Sequence, residues 1–311
     1  MSSVAVIDVG SNSIKVLVAA AAADGGLTIL RTRTLDARIS AGISQAAPRL
    51  SAAGLAAGLD AIRTLLEDVA PLAPAATVLV ATSAVRDALN GEDFRASVHA
   101  ATGHRLRILS GEEEARLIGR GLTSDPALAR LQDFYVFDLG GGSLECLAFR
   151  NRQIACTASL PLGCVRLTEQ FVADPAGPLA PAARQSIRQH VSDSLARSPF
   201  AFSLPPGAAA IGTGGTFSVA RAILTARSVP AAVDVPPSVT AAQLRALLDW
   251  LGALPLAERQ AIPGLPAARA DVMPVALATL DALAGLGGLT TFRHSFYNLR
   301  YGLAAEALAA L

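Results

Sequence analysis

Two six-residue stretches of the chain have the make-up of an anion-binding turn with a carboxylate beside it. Asp8-Val9-Gly10-Ser11-Asn12-Ser13 closes the apolar run VAVIDV, and Asp138-Leu139-Gly140-Gly141-Gly142-Ser143 closes FYVFDL 130 residues later. A turn rich in Gly and Ser after a strand leaves backbone N–H groups free to converge on one anion, because no side chain blocks the approach. Gly10, Ser11, Asn12 and Ser13, and likewise Gly140, Gly141, Gly142 and Ser143, are therefore candidate phosphate-binding residues. An aspartate there would repel an anion bound alone. It suits a divalent cation that bridges carboxylate and phosphate, so Asp8 and Asp138 are candidate ligands of a metal or a metal-bound water. One such turn is more often a tight hairpin whose aspartate bonds its own backbone. Two copies at matching positions favour the binding reading. A third turn, Gly212-Thr213-Gly214-Gly215-Thr216, follows the apolar AAAI and leads into a helix expected over 217–224. It is a weaker candidate for an anion at a helix N-terminus, since glycine turns between strand and helix are common.

The elements that must hold these turns are legible on either side of them. VAVIDV, IKVLVAA and LTILRTRTL read as strands, and Leu55, Leu59, Ile62, Leu65, Leu66 and Val69 predict an amphipathic helix over 51–69. TVLVAT is a strand, 92–101 a helix and RLRIL a strand. Ser110 then opens a further helix as N-cap, with Glu113 at the capping-box position. The pattern restarts at Phe134 with FYVFDL, LECLAF and QIACTASL, followed by helices near 182–196, 241–252 and 269–284. Pro175, Pro178, Pro181, Pro230, Pro236 and Pro237 mark loops. The same order of elements in both halves predicts an α/β protein of two related domains, 1–125 and 126–296, with a boundary within 123–133. The C-terminal segment, about 297–311, can pack back on the first.

Bulk composition excludes several classes. Hydrophobic residues make up 52% of the 311 and charged ones 16%, so a chain disordered over most of its length is not expected. Much of the apolar fraction is alanine, and the longest charge-free stretch, 198–220, is broken by Pro199, Pro205, Pro206 and glycines, unlike a bilayer span. No export signal is read at the N-terminus, which makes a cytoplasmic protein the default expectation. Cys146, Cys156 and Cys164 contain no C-x-x-C pair, and His99, His104, His190 and His294 lack zinc-site spacing. A net charge of +1 gives no global pull toward DNA or acidic lipid. Lys15 is the only lysine among 26 basic residues, a bias toward arginine that genome composition accounts for, although arginine also grips phosphate in a bidentate way.

The three glycine turns, in this order, resemble the actin-like ATPase fold shared by sugar kinases and heat-shock chaperones. The neighbouring blocks AVIDVGSNSIKVLVA, ATSAVRDALN, ILSGEEEARLIGRG, VFDLGGGSLE, SLPLGCVRL and AIGTGGT, with AARADVMP and FYNLRYGL, narrow the resemblance to the exopolyphosphatase and guanosine pentaphosphate phosphatase (Ppx/GppA) family. They run in family order from residue 5 to about 303. The resemblance implies two actin-like (ribonuclease H-like) domains with the active site in the cleft between them. It also implies a magnesium-dependent phosphohydrolase, manganese being able to substitute, and a homodimer with neither DNA nor membrane as partner.

By position in SGEEEAR, the resemblance gives Glu114 the role of the base that activates water. The local reading agrees, since Glu113 is occupied by the cap while Glu114 projects from the next position. As an isolated residue Glu114 would read as an acid stabilised by a helix N-terminus. The resemblance likewise assigns the grip on the transferred phosphate to Arg86, otherwise an ion-pair partner for Asp87 or Asp93. It assigns magnesium binding to Asp138 and Glu145, the latter otherwise an outward-facing strand residue. Two positions depart from the family pattern: Leu144 stands where a threonine is usual, and Tyr301 follows Arg300 where an acid is more common. Terminal phosphate of inorganic polyphosphate is the expected substrate, because longer members of the family append a helical C-terminal region that this chain lacks. Guanosine pentaphosphate is the close rival, and an actin-like kinase or a non-catalytic polyphosphate binder are more distant ones.

Overall fold

The computed structural model describes residues 2–23, 25–227 and 237–311, so Pro230 and Pro236, two of the expected loop markers, lie outside the described residues. The chain divides into two compact units, Met1–Arg130 with Tyr297–Leu311, and Leu131–Phe296. No helix among the described residues is long and apolar enough to cross a membrane.

The first unit opens with strands β1 (Ser3–Val9), β2 (Ile14–Ala21) and β3 (Leu27–Leu35), followed by helix α1 (Ala52–Val69). Then come β4 (Ala76–Ala81), α2 (Ser83–Asp87), α3 (Gly91–Thr102), β5 (Leu106–Ile108) and α4 (Gly111–Thr123). The sheet order is β3-β2-β1-β4-β5, with the β1–β2–β3 meander antiparallel and β4 and β5 joined in parallel. Alternation along the strands separates two faces. Ala5, Ile7, Val9, Val16 and Val18 face a core shared with Ile62 and Leu65 of α1 and Phe94 and Val98 of α3. Helix α1 starts where expected because the Ser51 side chain accepts from Gly54 N–H, leaving one fewer unsatisfied donor in its first turn.

The second unit repeats the opening with β6 (Phe134–Leu139), β7 (Leu144–Arg150) and β8 (Gln153–Leu160). It continues with α5 (Cys164–Phe171), α6 (Pro181–Ala196), β9 (Ala209–Thr213), α7 (Gly214–Arg227), β10 (Ser238–Thr240), α8 (Ala241–Ala253), α9 (Leu256–Gln260), α10 (Met273–Gly287) and β11 (Thr291–His294). The order β10-β11-β9-β6-β7-β8 contains the first sheet's arrangement, with an antiparallel meander of three strands extended by parallel neighbours. Its core gathers Tyr135, Phe137, Leu139, Cys146 and Ala148 against the helices, among them α10, which is buried almost all round. Helix α10 begins at Met273 rather than at the expected 269, with Pro274 in its first turn, where a missing N–H costs nothing. The chain then returns to the first unit as α11 (Leu299–Leu308), capped by the Asn298 side chain, which accepts from Arg300 N–H.

Helix α11 packs on α4 at backbone contact. A Cβ on Gly302 would overlap the Leu117 carbonyl, and one on Gly121 would overlap that of Asn298. At the far end of the same seam, Glu306 meets the guanidinium groups of Arg107, Arg116 and Arg120 at 3.5–3.7 Å. These three arginines are thus drawn to one carboxylate within the unit, as Arg31 and Arg33 are drawn to Asp68.

Candidate active site

In the first unit the turn between β1 and β2 is closed by a hydrogen bond from Gly10 N–H to Ser13 C=O of 3.2 Å. Ser11, Asn12 and Ser13 are buried. The Ser11 carbonyl accepts from both Ser40 N–H (3.3 Å) and Ser40 Oγ (3.0 Å), and the Asn12 carbonyl accepts from Arg38 N–H (3.0 Å). Ser11 Oγ lies 3.2 Å from Ser83 Oγ at the start of α2. The loop carbonyls are thus turned into the unit and spent on its own donors.

Asp8 pairs across the ladder with Lys15. Its Oδ1 is shut off from solvent and accepts no hydrogen bond. Burial raises the Asp8 pKa, and the positive charges of Lys15 and of Arg300 on α11 pull it back down. A cation-binding carboxylate among two fixed cations is a poor fit electrostatically, so the expected metal role suits Asp8 less well than Asp138.

Glu114 and Arg86 meet. Arg86 Nη1 donates to Glu114 Oε2 at 2.8 Å and to the Leu109 carbonyl at 3.1 Å, while its Nε stands 3.5 Å from Asp87 Oδ1. The Glu114 side chain is only 8% exposed, and that of Arg86 22%. The expected capping box is present: Ser110 Oγ accepts from Glu113 N–H, and the Glu113 carboxylate accepts from Ser110 N–H. Arg107 and these cap bonds hold the Glu113 pKa down at about 2. Glu113 is therefore committed to the helix terminus, and Glu114, next along, is turned inward to Arg86.

In the second unit the turn between β6 and β7 closes in the same way, Gly140 N–H donating to Ser143 C=O at 3.0 Å. The first-turn amides of α5 take its carbonyls: Cys164 N–H donates to Gly140 C=O (3.0 Å) and Val165 N–H to Gly141 C=O (2.8 Å). Gly163 makes this approach feasible, because a Cβ there would overlap the Gly141–Gly142 backbone. Asp138 and Glu145 are direct cross-strand partners, so their carboxylates share one sheet face. Glu145 is buried rather than outward-facing, and its Oε1 accepts from Ser159 Oγ at 2.9 Å. Thr213 on β9 pairs with Asp138, and Ser159 on β8 with Glu145, giving one polar row Thr213–Asp138–Glu145–Ser159 across four strands.

The third glycine stretch differs from its expected form. Gly212 and Thr213 end β9, and α7 starts at Gly214 rather than near residue 217. Gly214 has φ +84°, so the strand-to-helix reversal is made at one residue. A Cβ at Gly214 would overlap Asp138 Oδ1, and the Gly215 backbone lies directly under the Arg269 guanidinium.

Sequence reasoning overlooked three arginines, each placed on one turn. Arg38 Nε donates to Asn12 Oδ1 (3.1 Å), Arg166 Nε donates to Gly142 C=O (3.1 Å), and Arg269 packs on Gly215. Arg166 and Arg269 lie inside the blocks SLPLGCVRL and AARADVMP, which was the available signal; Arg38 carries none. The two departures from the family pattern are both structural in their surroundings. Leu144 is fully buried between Leu139 and Leu160, and Tyr301 packs its ring 4.3 Å from that of Tyr297.

A divalent cation fits this donor set at Asp138 and Glu145: two carboxylates forced side by side repel unless a positive charge is shared between them. Among the described residues no group of three or more His, Cys, Asp or Glu side chains is assembled for a metal. Magnesium takes one or two carboxylates from a protein and completes its shell with water and substrate phosphate.

Comparison with solved structures finds the same architecture along the whole chain. An exopolyphosphatase from Cytophaga hutchinsonii is 22% identical with a TM-score of 0.88, covering 100% of this chain and 99% of that one. The Aquifex aeolicus Ppx/GppA enzyme is 23% identical with a TM-score of 0.76, covering 98% and 99%. An exopolyphosphatase-like protein is 24% identical with a TM-score of 0.85, covering 98% and 97%. At such identities the likeness is one of fold, and it bears out the two-domain α/β architecture expected from the sequence. The Ppx/GppA phosphatase family matches residues 17–309, nearly the whole length. This chain therefore belongs to the Ppx/GppA family of phosphatases.

Proposed function

We propose that the chain hydrolyses the terminal phosphoanhydride of inorganic polyphosphate, with Glu114 as the base. The observation that carries this is the Arg86–Glu114 pair, a carboxylate sheltered from solvent and held at 2.8 Å by a guanidinium. Arg86 is the group that meets the transferred phosphoryl oxygens. As its guanidinium turns to them, Glu114 loses its counter-charge and can take a proton from water as the water oxygen attacks phosphorus. The bridging P–O bond breaks, leaving orthophosphate and a chain one phosphate shorter. Asp138 and Glu145 would hold magnesium, or manganese in its place, which supplies positive charge to the phosphate oxygens when bound. The Gly10–Ser13, Gly140–Ser143 and Gly212–Gly215 stretches bind phosphate through backbone amides. Arg38, Arg166 and Arg269 beside them suit a polyanion better than a single phosphate. A cytoplasmic homodimer acting without DNA or membrane is the setting that accompanies this proposal.

Phosphate release from polyphosphates of several lengths, guanosine pentaphosphate and ATP, each with magnesium and manganese, tests the substrate. Polyphosphate is expected to turn over fastest. Preference for guanosine pentaphosphate would transfer the assignment to that nucleotide, and ATP-dependent phosphorylation of a sugar would count against hydrolysis. Glu114→Gln is expected to lower kcat by about 10²–10⁴-fold while keeping substrate affinity. Full turnover by this variant rejects Glu114 as the base.

A further inference from the structure

Behind the Gly214 reversal lies a chain of hydrogen bonds that the phosphohydrolase reading does not use. Arg221 Nη1 lies 2.9 Å from His294 Nδ1, His294 Nε2 lies 3.2 Å from Ser218 Oγ, and Ser218 Oγ donates to the Gly214 carbonyl at 3.0 Å. Arginine has donors only, so Nδ1 must be the acceptor. That fixes the neutral imidazole with its proton on Nε2, which donates to Ser218 Oγ, and leaves the serine proton for Gly214. The direction of every bond in the chain is thereby set by its first member. His294 is 7% exposed and ends β11, and the ring of Phe296 stands edge-on to it at 4.6 Å. Burial and the adjacent Arg221 push the His294 pKa down to about 4, which keeps the ring in this form at neutral pH.

The far end of the chain bears on the acid row. Gly214 is the left-handed residue whose Cα stands against Asp138 Oδ1, leaving no room for a side chain. A shift of its peptide would move the surface on which that carboxylate rests. The main chain reinforces the tie, since Ser295 N–H donates to the Gly212 carbonyl at 3.0 Å, holding the residue after His294 to β9.

Resting on the metal role proposed for Asp138, we infer that Arg221, His294 and Ser218 are positioning residues that hold Gly214 and, through it, the Asp138 carboxylate for the cation. Ser218 bonded to the carbonyl four residues back is by itself an ordinary helical contact. What marks the chain as more is that a buried histidine and an arginine dictate the direction of that serine's proton.

The experiment compares wild type, Ser218→Ala, His294→Leu, His294→Gln and Glu145→Gln. Each is measured for Mn²⁺ affinity by the electron paramagnetic resonance of free Mn²⁺, for kcat and KM of phosphate release from polyphosphate, and for its urea midpoint. Ser218→Ala and His294→Leu are expected to weaken Mn²⁺ binding and lower kcat by about tenfold, the size seen when a supporting partner of a metal ligand is removed. KM should stay within about twofold. The glutamine amide can donate to Ser218 as Nε2–H does, so His294→Gln should recover most of both losses. Glu145→Gln separates the two levels: if it leaves Mn²⁺ binding intact, the proposed metal pair is what fails. If Glu145→Gln abolishes binding while Ser218→Ala and His294→Leu change only the urea midpoint, the inferred positioning role is overturned.

Discussion

Replacing Arg86 by alanine should strand a buried charge, and the cost can be worked from the contacts. The Glu114 carboxylate is 8% exposed and its partner nitrogen is 2.8 Å away. At an effective dielectric of 20, two unit charges about 4 Å apart gain roughly 4 kcal/mol, and a hydrogen bond to a charged group nets about 1.5–3 kcal/mol. Arg86→Ala also removes the 3.1 Å bond to the Leu109 carbonyl. A loss of about 2–4 kcal/mol is expected. Most of it should reflect the loss of the guanidinium counter-charge beside Glu114 rather than the worth of the pair, since removing one member of a buried ion pair costs more than removing both. Adding Glu114→Gln to Arg86→Ala should therefore restore about 1–2 kcal/mol, and Glu114→Gln alone should cost about 1 kcal/mol. The assay is urea unfolding followed by far-ultraviolet circular dichroism, because Trp250, the only tryptophan, lies in the second unit and would not report this change. Strict additivity of the two substitutions, or a loss below about 0.5 kcal/mol for Arg86→Ala, would refute the reasoning.

Two further outcomes follow from the packing. Gly302→Ala should destabilise the chain by about 3 kcal/mol or more, because its Cβ would overlap the Leu117 backbone carbonyl and push α11 from α4; a thermal midpoint equal to wild type would show that the two helices can part freely. His294 should make stability fall with acid. Its folded pKa of about 4 lies below the ordinary 6.5, so the unfolded chain binds the extra proton between them. The stabilisation is complete above pH 6.5 and is lost as pH drops toward 4, by roughly 3 kcal/mol in all. Trp250 fluorescence in urea at pH 7 and pH 4.5 for wild type and His294→Gln measures it, and a gap between the two proteins that does not change with pH would contradict it.

The parts of this molecule that depend on local chemistry could be read from the chain. Apolar runs bounded by glycine turns became β1, β2, β6 and β7, and the Ser110–Glu113 spacing became the capping box. The site was legible where one short segment held it, as with Asp138 and Glu145 across a single hairpin. Contacts that depend on long-range packing were not. Arg86 was set against Asp87 or Asp93 as its ordinary partners, whereas it reaches Glu114 as well as Asp87, because β4 and β5 lie in parallel and bring the starts of α2 and α4 together. The third glycine stretch was read as a loop of five residues. A single positive φ at Gly214 lets the strand pass straight into the helix, a backbone state that residue type permits but does not announce. Arg38, Arg166 and Arg269 stand far along the chain from the turns they cover.

The repeated turn, for all its symmetry, is duplicated only in its backbone. Both copies close with the same glycine-to-serine hydrogen bond, at 3.2 and 3.0 Å, and both sit in the same place within a sheet of matching order. The side chains across the ladder diverge. In the first unit Asp8 faces Lys15 and feels Arg300, which offset part of the cost of burying its charge. In the second, Asp138 faces Glu145, a second acid in place of a lysine. Backbone amides can serve an anion equally in either copy. Only the second sets two acids side by side across the ladder, so the metal role proposed above falls to Asp138 and Glu145 rather than to Asp8. The seventh residue after each aspartate, Lys15 or Glu145, carries this division of labour in the sequence itself.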